Sequence, residues 1–91
     1  MGCCWKIEFT IKANKLFKKL DLHTQKLIEN YIDNEILSSS NPRDKGKALT
    51  GNKKGLWRYR VNKYRIVCRI QDEILIILVV KIGKRDEIYE D

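Results

Sequence analysis

The sequence predicts an α+β fold in which an N-terminal strand and a two-helix hairpin pack on a mostly antiparallel four-stranded sheet. Three patterns carry that expectation: period-two alternation over residues 5–10, apolar positions at three- and four-residue spacing over 12–37, and three runs rich in β-branched and aromatic residues after Gly55. Ninety-one residues are too few for two ordinary cores, so residues 1–91 form one domain. A large multidomain enzyme is excluded, and there is no internal repeat.

In Trp5-Lys6-Ile7-Glu8-Phe9-Thr10 the odd positions are apolar, which puts Trp5, Ile7 and Phe9 on one buried face of the first strand. Between 12 and 20 the period changes: Leu16, Phe17 and Leu20 form one side of a short helix and lysines the other. Asp21 is a good N-cap for a second helix, whose stripe of Leu27, Ile28, Tyr31, Ile32 and Ile36 carries it to about Leu37. Ser38-Ser39-Ser40-Asn41-Pro42 ends it, since proline lacks an amide donor and drives the preceding residue out of helical geometry. A surface connection follows to about Gly55. Strands are then predicted over 56–61, 64–70 and 74–82, with Asn62-Lys63 and Asp72-Glu73 as two-residue turns.

Apolar residues make up 43% and charged residues 34%, the balance of a folded core beneath a charged surface and not of a disordered tail. Cys3, Cys4 and Cys68 supply neither a disulfide framework nor a zinc spacing, which fits a reducing cytoplasm. No secretion leader is recognisable, and the apolar run over 74–80 is too short to span a bilayer. Met1-Gly2-Cys3-Cys4 is reminiscent of a lipidated terminus, but Lys6 stands where a myristoylation motif needs Ser or Thr. A cytoplasmic protein without a membrane partner is therefore expected.

Nineteen Lys and Arg against twelve Asp and Glu give a net charge of +7 and direct attention to polyanionic partners. The excess is local. Residues 43–69 hold ten Lys or Arg and the single acid Asp44, so this stretch carries +9 and the remainder −2. Alternation gives it direction: Arg58 and Arg60 face one way while Trp57, Tyr59 and Val61 face the core, and in the next strand Arg65 and Arg69 oppose Ile66, Cys68 and Ile70. Guanidinium groups should thus gather on the sheet face that the helices leave uncovered. Like charges on neighbouring strands repel, so a solvated face is the bland reading and a bound anion the functional one. Lys45, Lys47, Lys53 and Lys54 are positioned to hold nucleic-acid backbone from the loop, or merely to keep it soluble. His23, the lone histidine, starts a helix and is read as a surface residue, and Trp57 as packing and not as a base-stacking platform.

Four blocks, Leu49-Thr50-Gly51, Gly55-Leu56-Trp57-Arg58-Tyr59-Arg60-Val61, Tyr64-Arg65-Ile66-Val67 and Gly83-Lys84-Arg85-Asp86-Glu87-Ile88-Tyr89, resemble in order and spacing the RelE/ParE superfamily of bacterial toxins, in its RelE/StbE branch. The resemblance covers nearly the whole chain and implies the β-α-α-β-β-β plan. It also implies the toxin of a type II toxin-antitoxin system: an mRNA interferase, cytoplasmic, that enters the ribosomal A site, cuts translated mRNA, and is silenced by a cognate antitoxin, the pair binding its operator DNA. Matched residue by residue, the family's catalytic positions fall on Arg58, Arg60, Arg65, Arg85 and Tyr89. RNA-binding roles are expected for Lys47, Lys53, Lys54, Lys63 and Lys84.

Chemistry agrees with that assignment. Cleavage without metal or cofactor needs the 2′-hydroxyl deprotonated, a dianionic phosphorane stabilised and the 5′-oxygen protonated, leaving a 2′,3′-cyclic phosphate. Arginines suit the second task, because their planar forks grip phosphate oxygens and stay charged. Relatives often carry lysine where this chain has Arg58 and Arg60, and arginine does not give up its proton. Tyr89 is the best candidate base, since neighbouring Arg65 and Arg85 would favour its phenolate; an aromatic packed over the sheet edge is its alternative reading. Two alternatives stay open: a ParE-like inhibitor of DNA gyrase, and a catalytically degenerate homologue that only binds its antitoxin or nucleic acid.

Overall fold

Lys6–Phe9 form β1, with Ile7 and Phe9 half-buried and Lys6 and Glu8 exposed, as the period of two requires. In the computed structural model, which describes residues 5–38, 41–49 and 55–84, the chain continues through two helices into a β-rich second half. Thr10 ends the strand and starts α1 (Ile11–Lys18): its hydroxyl accepts from the Ala13 amide at 3.0 Å. Asp21 caps α2 (Leu22–Tyr31) in the same way, its carboxylate accepting from the Thr24 amide at 3.3 Å and the Thr24 hydroxyl at 2.6 Å. The Thr24 hydroxyl bond holds the Asp21 carboxyl below its usual range.

The expected second helix does reach Leu37, but its last part, Ile32–Leu37, winds as a π-helix. Ile28, Ile32 and Ile36 stay buried through that change, and the Ser38 hydroxyl donates to the Asn34 carbonyl at its end. The first helix starts and stops earlier than the apolar pattern suggests, at Ile11 and Lys18, because the cap at Thr10 outranks the position of the first leucine.

Among the described residues the sheet has five strands, where four are expected. Between Pro42 and Gly55 the chain lays down β2 (Lys47–Ala48), antiparallel to β3 (Leu56–Val61), which pairs with β4 (Tyr64–Gln71) and then β5 (Ile76–Lys84). β1 adds parallel to β5, giving the order β1-β5-β4-β3-β2. Two residues, Lys47 and Ala48, are too few to show alternation, which is why β2 is silent in the sequence; its register with Arg58 and Trp57 is fixed from outside. Asn62-Lys63 forms the two-residue turn as expected, with Asn62 in the left-handed region at φ 58. The next turn is longer than Asp72-Glu73: it takes in Ile74 and Leu75, so β5 starts at Ile76.

The core lies between the helices and one sheet face, built from Ala13 and Phe17 of α1, Ile28, Ile32 and Ile36, Tyr59 and Val61 of β3, Ile66 and Cys68 of β4, and Ile77, Val79 and Ile82 of β5. A bulge keeps β5 in phase with it. Val67 partners Lys81 whereas Cys68 partners Val79, so Val80 is the extra residue and Ile82, not Lys81, lies beside Ile66 on the helix side.

The connection after the second helix is tied down through Pro42, Arg43 and Lys45, the last pairing with Glu35 at 3.2 Å. The buried Tyr59 hydroxyl donates to the Pro42 carbonyl, and burial pushes the Tyr59 phenol well above its usual pKa. Arg43 grips Asp72 with both terminal nitrogens, at 2.9 and 2.6 Å, and lies 5.5 Å from the Trp57 ring centre. Trp57 itself is partly buried and packs against the core, as expected.

Candidate functional site

The alternation of β3 and β4 puts Arg58, Arg60, Arg65 and Arg69 on the face away from α1 and α2, because Trp57, Tyr59, Ile66 and Cys68 are committed to the core. Register then decides which arginines meet. Arg60 is the direct partner of Arg65, which across β4 faces Gly83 of β5. Directly opposed residues sit about 5 Å apart at Cα, so the two guanidinium stems rise side by side. One rung along, Arg58 lies between Lys47 of β2 and Val67 of β4. Arg69 is two rungs from Arg65 and opposite Leu56 and Leu78.

Arg65 is 6% exposed although it is charged and lies outside the helix-packed core. A fully buried arginine is uncommon, and its neighbour Gly83, itself buried, adds no side chain to compete for that space. Arg60, by contrast, is exposed and Arg58 half-buried. At the turn the rung opens into a pocket of ≈ 180 Å³ lined by Arg60, Asn62, Lys63 and Arg65.

The expected site residues divide into three groups. Arg58, Arg60, Arg65, Lys47 and Lys63 gather on or beside this face. Lys84 does not: it partners Tyr64 on the helix side and lines a separate groove of ≈ 380 Å³ with Lys12, Leu16, Lys19, Leu20 and Lys81. Arg85, Tyr89, Lys53 and Lys54 lie outside the described residues. Asn62, which the sequence marks only as a turn former, also lines the pocket; its place between Arg60 and Arg65 is the signal for it.

Chemically the described part of the site is a set of permanent cations that bind phosphate oxygens through paired N–H donors. The buried Cys68 thiol is pushed up in pKa by desolvation and faces the core. Among the described residues no group of three or more His, Cys, Asp or Glu is placed to hold a metal ion, and no helix is long and apolar enough to cross a membrane.

Several solved structures share this architecture. The RelBE2 toxin-antitoxin complex of Mycobacterium tuberculosis superposes with a TM-score of 0.80 at 22% identity, over 89% of this chain and 91% of that one. The isolated RelE toxin of E. coli gives 0.73 at 24% identity, over 93% and 90%. The YoeB/ParE toxin of Agrobacterium tumefaciens gives 0.70 at 20% identity, over 88% and 98%. At these identities the likeness is one of fold. No curated protein sequence matches the chain. The profile of the family described as "ParE toxin of type II toxin-antitoxin system, parDE" matches residues 7–89, nearly the entire domain. The chain belongs to that family of type II toxin-antitoxin toxins, within the RelE/ParE superfamily.

Proposed function

We propose that this toxin is a ribosome-dependent endoribonuclease that cuts translated mRNA in the A site without a metal ion and thereby stops translation. The observation that supports the reading most is the register pair Arg60 and Arg65, with Arg58 one rung away, beside a pocket that is basic at three of its four described positions. Such a cluster holds the scissile phosphate and stabilises the dianionic phosphorane as charge accumulates on its oxygens. Arg85 completes the cation set and, with Arg65, favours the Tyr89 phenolate, which takes the 2′-hydroxyl proton; the 2′-oxygen attacks phosphorus, the bond from phosphorus to the 5′-oxygen breaks, and the 5′-oxygen leaves with a proton from solvent, so that a 2′,3′-cyclic phosphate remains. Lys47 and Lys63, with Lys53 and Lys54 of the loop, bind flanking phosphates, and Lys84 contacts backbone from the groove side. The protein acts in the cytoplasm, and a cognate antitoxin that presents an acidic or apolar helix holds it inactive; together the pair binds operator DNA.

Tyr89→Phe and Arg85→Ala should each relieve growth inhibition while leaving the protein folded, and full toxicity of both variants would sink the mechanism. The match to the ParE family profile favours one second reading, a gyrase inhibitor that works through protein contact. DNA supercoiling separates the two: gyrase stays active in the presence of an mRNA interferase and stops in the presence of a ParE-like inhibitor.

A further inference from the structure

The pocket at the β3–β4 turn contains a chemical asymmetry. Of its described lining side chains, Arg60, Lys63 and Arg65 are hydrogen-bond donors only, and Asn62 alone carries an acceptor oxygen. A phosphate offers nothing but acceptors, so three donors complete a phosphate site and the carboxamide is superfluous to it. RNA brings one further group next to each phosphate, the 2′-hydroxyl on the same ribose, which donates as well as accepts and which DNA lacks. We propose that Asn62 is a positioning residue whose side-chain oxygen accepts a hydrogen bond from the 2′-hydroxyl of the ribose on the 5′-oxygen side of the phosphate that Arg60 and Arg65 hold. It anchors that ribose, leaves the proton of the attacking 2′-hydroxyl to Tyr89, and makes the pocket prefer RNA to DNA. This rests on the nucleic-acid reading of the arginine pair.

The competing explanation is that asparagine is there for the turn alone, since the residue sits at φ 58, where asparagine and glycine are at ease. Glycine adopts that conformation still more readily, so Asn62→Gly keeps the turn and deletes only the amide. Asn62→Asp also tolerates the conformation and keeps an acceptor, while placing a negative charge beside the phosphate.

The test is an NMR titration of the ¹⁵N-labelled full chain with a trinucleotide and with its 2′-deoxy counterpart. The wild type should bind the RNA more tightly, and Asn62→Gly should lose roughly fivefold of that preference, the equivalent of one ordinary hydrogen bond, by weakening RNA binding and leaving DNA binding unchanged. Asn62→Asp should weaken both strands and retain the preference. An equal loss for RNA and DNA in Asn62→Gly, an unchanged preference, or a wild type that does not discriminate would each overturn the assignment. Arg60→Ala distinguishes the underlying reading: it should weaken both strands, and unaltered binding would overturn the phosphate role of the arginine pair itself, as would a wild type that binds neither.

Discussion

Replacing Tyr59 with phenylalanine removes one oxygen from the centre of the molecule. The side chain is fully buried, its hydroxyl donates to the buried Pro42 carbonyl, and its ring meets Tyr31 edge-on at 6.4 Å. Phenylalanine preserves the ring contacts, so the change isolates the hydrogen bond that anchors the connection between the second helix and β2. A buried acceptor deprived of its donor costs about 1–3 kcal/mol. In a domain of this size 1 kcal/mol corresponds to roughly 4–8 °C in melting temperature, so Tyr59→Phe should melt at least about 4 °C lower at neutral pH. Alkali adds a second signature. Burial raises the native phenol pKa, so the stability it contributes is fully present below the unfolded tyrosine value near 10 and is lost as pH climbs from there toward the native value. The wild type should therefore lose stability more steeply than the variant above about pH 10, and the gap between them should narrow. Thermal unfolding followed by circular dichroism across that range measures both effects. Equal midpoints at neutral pH together with parallel alkaline profiles would refute the reasoning.

Three further outcomes follow from the same structure. Gly46→Ala places a Cβ 3.0 Å from the Tyr59 ring and 3.3 Å from the Arg58 carbonyl, and should cost about 1–3 kcal/mol, read by urea unfolding. Asp72→Asn removes the carboxylate that Arg43 holds below its usual pKa; that contribution is present above the unfolded value near 3.9 and lost as pH falls through the native one, so the wild type should lose more stability on acidification than the variant. Arg60→Ala should lower mRNA cleavage about 10²- to 10³-fold by removing a preorganised donor. Its unfolding midpoint should stay close to that of the wild type, because the residue is exposed.

How far the sequence could be read depends on where the information for each feature resides. β3 is legible because Trp57-Arg58-Tyr59-Arg60-Val61 alternates without a break, and the same alternation assigns Arg58 and Arg60 to one face. The caps at Thr10 and Asp21 are local chemistry, though the residue pattern predicts only the second. β2 was illegible because Lys47 and Ala48 owe their conformation to β3. The π-helical turn escaped because Ile28, Ile32 and Ile36 repeat every four residues, which an α-helix fits equally well. The bulge at Val80 shifts phase inside a run where every position but Lys81 is apolar, so periodicity carries no trace of it. Within the site, face membership could be read from alternation. The pairing of Arg60 with Arg65, the burial of Arg65 and the presence of Asn62 in the same pocket depend on strand register and on how closely the hairpin closes.

The most direct test of the central claim is primer extension on an mRNA being translated in a purified system, with and without the protein, beside the same mRNA lacking ribosomes. The account predicts breaks within codons that appear only when ribosomes and protein are both present. Intact mRNA in the translating reaction, or breaks that appear equally without ribosomes, would contradict it.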